Sequence, residues 1–407
     1  MAKVNFEKFP IGTWGHFTVD ITGLTEERIA DMAACGMTLC HSPYCSTDMK
    51  EATLKALDLC EKYGIKLILR NNHTHWKIYL TEGPEAFRRS IRTEYEAFGR
   101  HPACAGIFLG DEPHADELED CTKAYIIATE ECPGLILHIN QNPGYAEKCT
   151  KFCRESGCNL LSFDRYSQMN PEPQGTIDFL RDMREYVALA KSLDVSLLAV
   201  MLAVGHFRYR VPGEDDLRWQ MGVALACGAK AIFWYNFECD PRDANYRGCP
   251  LTEFGDHTPS YQAMKTLHLR FNRDFAEIMN HSIHRDVDWI GTEYPGFHAF
   301  CPNNALSREF ALLGAYSAHG TAGLVTYLEG EGPYAGKKYV MITNNTPDTS
   351  DLFFLTTLPG KKVYHVYQDV EFDFEQRHGD AYFSRDEDCI RCGYWLAPGQ
   401  FELFRFE

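Results

Sequence analysis

The chain has no apolar run approaching the ~18 residues of a membrane-spanning helix, which excludes a helical membrane protein. It is short of positive charge, with 40 Lys+Arg against 57 Asp+Glu and a formal net charge of −17. Nucleic acid and anionic membrane surfaces are therefore excluded as partners, because phosphate recognition needs basic patches. Residues Met1 to Phe9 hold no apolar stretch of the kind a secretory signal carries, and a cytoplasmic protein is expected. No glycine-rich phosphate turn follows the first strand-like run and no His-x-His closes it, so no cofactor and no metal are expected. Cysteine is not scarce, at 16, but without an export signal reduced, buried thiols are expected over disulfides. Cys149, Cys153 and Cys158 lie close together, and Cys389 and Cys392 form a CxxC; neither has the second close pair a zinc site would use.

At 407 residues the chain suits a large barrel plus a smaller module. Eight short apolar runs read as strands: Phe9–Gly15, Met37–Ser42, Lys66–Arg70, Gly106–Leu109, Leu135–Ile139, Leu160–Phe163, Leu197–Leu202 and Ala231–Tyr235. Between them lie helical segments. Thr25–Cys35 opens on a capping threonine followed by two glutamates, and Asp48–Tyr63 ends at Gly64. Others are Pro84–Gly99, His114–Cys132, Tyr145–Ser156, Thr176–Leu193 and Glu214–Cys227, with Ser260–Met279 after the last strand. The acidic run Glu214-Asp215-Asp216 fits a first helical turn, where negative charge suits the dipole. Eight βα repeats whose strands lack alternation predict a closed parallel (β/α)8 TIM barrel over residues 1–284. From Gly320 the pattern becomes short strand-like runs separated by Gly, Pro and Asn, which predicts a small antiparallel β-sandwich over 320–407. Residues 285–319 are expected to connect the two. Self-association is left open.

The chemistry is expected at the C-terminal ends of the strands. Ile107-Phe108-Leu109 runs into Gly110-Asp111-Glu112-Pro113, placing two adjacent carboxylates at the mouth. Like charges there repel, so one should hold its proton near neutral pH, as acetal cleavage requires. The plain alternative is a solvated turn capping the helical segment that begins near His114. The other strand ends decide between them. They offer Trp14 and His16, His41, Arg70 and Asn72 with His73, Asn140, Asp164 and Tyr166, His206, and Trp234, Tyr235, Asn236 and Glu238. Together these describe a pocket for a neutral, hydroxylated ligand, with Arg70 and Arg165 its main cations and Trp14, Trp234 and Tyr235 as surfaces for sugar faces.

The LGDEP run, the SFDRY run and ALACGAKAIFWYNF resemble the clan A (β/α)8 glycoside hydrolases, in particular the beta-galactosidase-like group with a C-terminal β-domain. The closing Leu396-Ala397-Pro398-Gly399-Gln400-Phe401-Glu402-Leu403 resembles the end of such domains. The resemblance implies a carbohydrate substrate and an acid/base glutamate ending strand four, where Glu112 stands. Two departures matter. Clan members usually place asparagine before that glutamate, and here it is Asp111. Their nucleophile usually ends strand seven, and Leu202-Ala203-Val204-Gly205-His206 offers no carboxylate. The Asp-Glu pair also resembles substrate-assisted hexosaminidases, in which the sugar's 2-acetamido oxygen attacks; Asp111 would orient that group and Glu112 protonate the leaving oxygen. Otherwise the second carboxylate is Asp164 or Glu238.

The expectation is thus a glycoside hydrolase acting on short oligosaccharides or glycosides. Two alternatives remain at this stage. One is a metal-dependent sugar isomerase or epimerase using Glu112, Asp164, His206 and Glu238 as ligands. The other is a barrel that binds glycans without cleaving them, which the missing strand-seven carboxylate would suit.

Overall fold

Strand β7 (Ser196–Leu202) is buried at every position, as a strand covered on both faces must be. It belongs to a ring of eight parallel strands in the computed structural model: β1 (Ile11–Thr13), β2 (Leu39–Cys45), β3 (Lys66–Asn71), β4 (Cys104–Asp111), β5 (Ile136–Asn140), β6 (Leu160–Asp164), β7 and β8 (Ala231–Tyr235). The structure describes residues 4, 6–15, 20–167, 174–240, 242, 245–291, 294–368, 370–376 and 381–407. These divide into two units, one of Met1–Pro212 with Ala229–His268 and one of Gly213–Gly228 with Leu269–Glu407.

In the first unit the ladders run β1-β8-β7-β6 and β2-β3-β4-β5. Two seams close the ring. The Thr38 N–H donates to the Ile11 carbonyl at 2.8 Å, and the Gln141 N–H donates to the Ser162 carbonyl at 2.9 Å. The first seam is tight enough to require glycine: a Cβ on Gly12 would lie 1.6 Å from the Leu39 carbonyl oxygen. Trp14, Leu39, Ile68, Phe108, Leu198, Val200 and Phe233 fill the interior. Helices follow the strands as their capping residues direct. Thr25 accepts from the Arg28 N–H ahead of Glu26–Ala34, and Gly64 ends Lys50–Tyr63 in the left-handed conformation.

In the second unit two antiparallel sheets enclose a separate core. Its strands are β9 (Ser282–Ile290), β10 (His298–Ala299), β11 (Leu312–Ser317), β12 (Gly323–Gly330), β13 (Lys338–Asn344), β14 (Asp351–Thr357), β15 (Val363–Tyr367), β16 (Val370–Asp373), β17 (Ala381–Arg385), β18 (Ile390–Leu396) and β19 (Phe401–Phe406). The sheets run β10-β9-β12-β13-β19-β15-β16 and β11-β14-β18-β17; β10 lies parallel to β9. Val325, Tyr327, Ile342, Phe353, Leu355, Ile390 and Phe404 pack between them.

The division differs from the sequence expectation in two places. Residues 285–319, expected to connect the two, carry most of β9, all of β10 and β11, and the helix Ala305–Glu309. The helix Glu214–Cys227, buried nearly all round, belongs to the second unit. Its Gly222 lies against the backbone of Gly399, and Trp219 Nε1 donates to Asn345 Oδ1 at 3.1 Å. No helix among the described residues is long and apolar enough to cross a membrane.

Candidate active site

Consecutive strand residues point to opposite faces, so Asp111 and Glu112 should diverge. Two local features bring them together. The β4–β5 register shifts between Phe108 and Gly110, and Glu112 adopts a left-handed backbone with φ 43°. That conformation is uncommon for a residue with a side chain and is held here by surrounding contacts. The Glu112 N–H donates to the Asn140 carbonyl at 2.9 Å, and the Trp76 N–H donates to the Leu109 carbonyl at 2.8 Å. The Trp76 indole lies so close to Gly110 that a Cβ there would be 2.3 Å from its Cδ1.

Asn140, at the end of β5 and buried, links the acids. Its Nδ2 donates to Asp164 Oδ1 at 2.8 Å and to Asp111 Oδ1 at 3.2 Å, while its Oδ1 accepts from Ser162 Oγ at 2.6 Å. Every polar atom of the amide is thereby used, which fixes its orientation. Asp164 lies close enough to Glu112 for the two carboxyls to share a proton. Two carboxyls in contact hold one proton between them. Glu112 is pushed up to about 7, first by burial, then by the charges of Asp164 and Asp111. Asp111 is raised to about 6 by burial and by Asp164, against the pull of Asn140 and Arg70. Asp111 and Glu112 both reach solvent, yet the walls of the mouth withhold enough water for burial to dominate. Asp164 is also raised by burial, opposed by hydrogen bonds from Asn140 and Tyr166. Arg165 does not neutralise it directly, being paired with Asp182 at 2.5 Å.

An aromatic wall stands at the ends of β6, β7 and β8. Tyr166 stacks on Tyr235 at 5.7 Å between centroids and meets Tyr209 edge-on at 5.2 Å. His206 lies parallel to Tyr246 at 5.2 Å and receives Asn245 Nδ2 on its Nδ1 at 3.2 Å. The Tyr235 and Tyr246 hydroxyls are 2.5 Å apart. The segments after β7 and β8 are joined by paired Gly205 and Arg247 backbones, and a Cys239–Cys249 disulfide closes the second. That disulfide corrects the expectation of reduced thiols throughout; the other fourteen cysteines are free. Tyr209, Asn245 and Tyr246 were not singled out from sequence. The run His206-Phe207-Arg208-Tyr209 directly past β7 was the available signal.

Asp111, Glu112, Asn140, Asp164 and Tyr166 thus gather at one rim. Tyr235 and Arg70 lie near enough for their charges and that of Asp111 to interact. Arg70 also donates to the Tyr44 hydroxyl at 3.1 Å. Asn236 is buried at the end of β8 with its Oδ1 unpartnered. Five residues are placed elsewhere. Trp14 and His41 lie in the interior, where His41 Nε2 and His138 Nδ1 are 2.7 Å apart. Burial drops His138 to about 3, so His138 stays neutral. Trp234 is fully buried and donates its Nε1 proton to His268 Nε2 at 2.9 Å. Glu238 is buried and ion-paired with Arg28 at 2.8 Å. Asn72 is exposed on a short 3-10 turn, while its neighbour Asn71 is the buried one, donating to Glu94 at 2.6 Å. His16 lies outside the described residues.

Of the alternative metal set only Glu112 and Asp164 come together; His206 and Glu238 do not complete a ligand group with them. Among the described residues, three or more His, Cys, Asp or Glu side chains come within metal-ligating reach of one another only at Asp58, Glu61 and His101.

No family model and no curated protein matches the chain by sequence. Solved structures do. A beta-galactosidase from the psychrophilic Marinomonas ef1 superposes with TM-score 0.52 at 12% identity, over 64% of this chain and 59% of that one. A family 39 glycoside hydrolase from Bacteroides cellulosilyticus WH2 gives 0.55 at 11% identity, over 100% of this chain and 82% of that one. A β-glucuronidase from Ruminococcus gnavus, bound to D-glucuronic acid, gives 0.50 at 10% identity, over 64% and 49%. The chain spans only 59% and 49% of the beta-galactosidase and the β-glucuronidase. The fold, a (β/α)8 barrel followed by antiparallel sheets, is therefore one shared with glycoside hydrolases.

Proposed function

We propose that the chain cleaves glycosidic bonds and that Glu112 protonates the departing oxygen. The observation that carries this reading is the cluster of Asp111, Glu112 and Asp164, the first and last joined through Asn140, with Glu112 raised to about 7. A carboxyl that keeps its proton at neutral pH, at the open end of a barrel, is a general acid in waiting. It also argues against a barrel that only binds sugars, since binding alone gives no reason to hold such an acid.

The same contact limits the role of Asp164. Carboxyls that flank a glycosidic bond stand ~5–5.5 Å apart for retention and ~6.5–9.5 Å apart for inversion. Asp164 lies beside Glu112 and raises it, so we assign it to sharing the proton instead of attacking from the far side. With Glu238 held by Arg28, the attacking oxygen is assigned to the substrate itself, a 2-acetamido group oriented by Asp111. The acetamido oxygen bonds to the anomeric carbon as the glycosidic bond breaks, and the leaving oxygen takes the Glu112 proton. Glu112, now a carboxylate, removes a proton from water, which opens the cyclic intermediate and restores the acid. Asp111 and Glu112 both reach solvent, and short oligosaccharides and simple glycosides are the substrates we assign.

The test compares 4-nitrophenyl 2-acetamido-2-deoxyhexosides with the corresponding plain hexosides. The acetamido sugars should be cleaved preferentially, and Asp111→Asn should lower their kcat by on the order of 10²-fold. Equal turnover of plain glucosides or galactosides would overturn the substrate-assisted route.

A further inference from the structure

The outer face of the sheet β11-β14-β18-β17 carries a line of rings that the hydrolytic site does not use. Tyr316 pairs in register with Phe354, Phe354 with Gly393, and Gly393 with Tyr382. Neighbouring strands are ~4.8 Å apart, so the line spans ~14 Å across the sheet. Tyr316 and Phe354 lie 5.2 Å apart at 27°, and Phe354 and Tyr382 lie 6.2 Å apart. Gly393 makes the arrangement possible: a Cβ there would be 2.6 Å from both Cδ1 and Cε1 of Phe354, so the ring covers the strand where a side chain would stand. Two residues further along β18, on the same face, Trp395 stacks on His319 at 6.1 Å.

Alternation explains why this is unexpected. Phe353, Leu355, Cys392 and Leu396 face the core, so Phe354, Gly393 and Trp395 face outward, where an antiparallel sheet is ordinarily polar. Instead Tyr316 is 39%, Tyr382 49% and Trp395 41% exposed. A contiguous aromatic patch of this kind marks an interaction surface.

The chemistry of the patch selects its occupant. The cross-strand line is made of rings and holds no aliphatic side chain. Its rings present π-surfaces for the C–H faces of pyranose rings. The next row of the sheet, where Thr356 pairs with Arg391 and Arg391 with Ser384, offers hydroxyl and guanidinium groups for sugar hydroxyls. Asp386, Glu387 and Asp388 in the turn between β17 and β18, on a chain of net charge −17, disfavour a polyanion. We propose that this face binds an extended, uncharged polysaccharide, longer than a single sugar. The proposal does not depend on the hydrolytic reading.

Native affinity electrophoresis of the whole chain through gels containing hydroxyethylcellulose, galactomannan, xylan or polygalacturonate tests it. At least one neutral polymer should retard the protein, and polygalacturonate should not. Trp395→Ala and Tyr382→Ser should each weaken retardation on the order of tenfold, the effect of losing one ring contact. Both positions are exposed, and unchanged circular dichroism with unchanged hydrolysis of a small aryl glycoside would show that the variants are folded. No retardation by any neutral polymer would overturn the proposal, as would retardation that both variants leave intact. A concentration-dependent dimer that Trp395→Ala dissociates would assign the face to a second copy of the chain instead.

Discussion

Replacing Glu112 with glutamine should make the protein more stable at alkaline pH while costing it activity. In the folded chain Glu112 titrates at about 7, against 4.5 for the free group. The folded state therefore binds this proton more tightly than the unfolded state. Between about 4.5 and about 7 folding takes up a proton, so stability falls as pH rises through that window and levels off above it. At ~1.4 kcal/mol per unit the full shift would amount to roughly 3 kcal/mol. Glu112 is solvent-exposed, and screening reduces this to about 1–2 kcal/mol. Glutamine is neutral at every pH and can still donate to Asp164. Urea unfolding followed by circular dichroism should show Glu112→Gln more stable than the parent by about 1–2 kcal/mol at pH 8 and equal to it at pH 4. A variant equal to or weaker than the parent at pH 8 would mean that Glu112 is not held among like charges. The argument for its retained proton would then fail.

The pH profile of kcat/KM should be a narrow bell, falling below about 6 as Asp111 protonates and above about 7 as Glu112 loses its proton. Asn140→Ala removes the donor that holds Asp111 and Asp164 down, so the acid limb should move upward; an unmoved limb would detach Asn140 from the site. Arg28→Ala strands a buried Glu238 and should cost about 3–5 kcal/mol in urea unfolding, with turnover per folded molecule unchanged. A large loss of turnover in folded Arg28→Ala would return Glu238 to the catalytic machinery.

The barrel was legible because most of its strands carry a short, largely apolar run between helical segments, a pattern that does not depend on distant partners. Strands β9, β11 and β18 were not. Arg285 and Asp286 interrupt β9, β11 is half-exposed with Gly314 inside it, and β18 contains Arg391 and Gly393, so none shows a clean apolar period. At the site, position at a strand end pointed to Asp111, Glu112, Asn140 and Asp164. The same rule also selected Trp14, His41 and Trp234, because it does not tell a side chain at the rim from one turned into the barrel or toward a helix. Glu238 looked available because its partner, Arg28, lies on the helix after β1, far away in sequence. Gly110, unremarkable in sequence, is where the Trp76 indole packs against the acid-bearing strand.

The central claim is that Glu112 delivers the proton, and leaving-group dependence measures this directly. A 2,4-dinitrophenyl glycoside departs without protonation, whereas a 4-methylumbelliferyl glycoside or a disaccharide needs it. Glu112→Gln should cleave the dinitrophenyl substrate at close to the parent rate and lose on the order of 10²-fold or more on the other two. Equal losses on all three substrates, or no loss on any, would contradict the account.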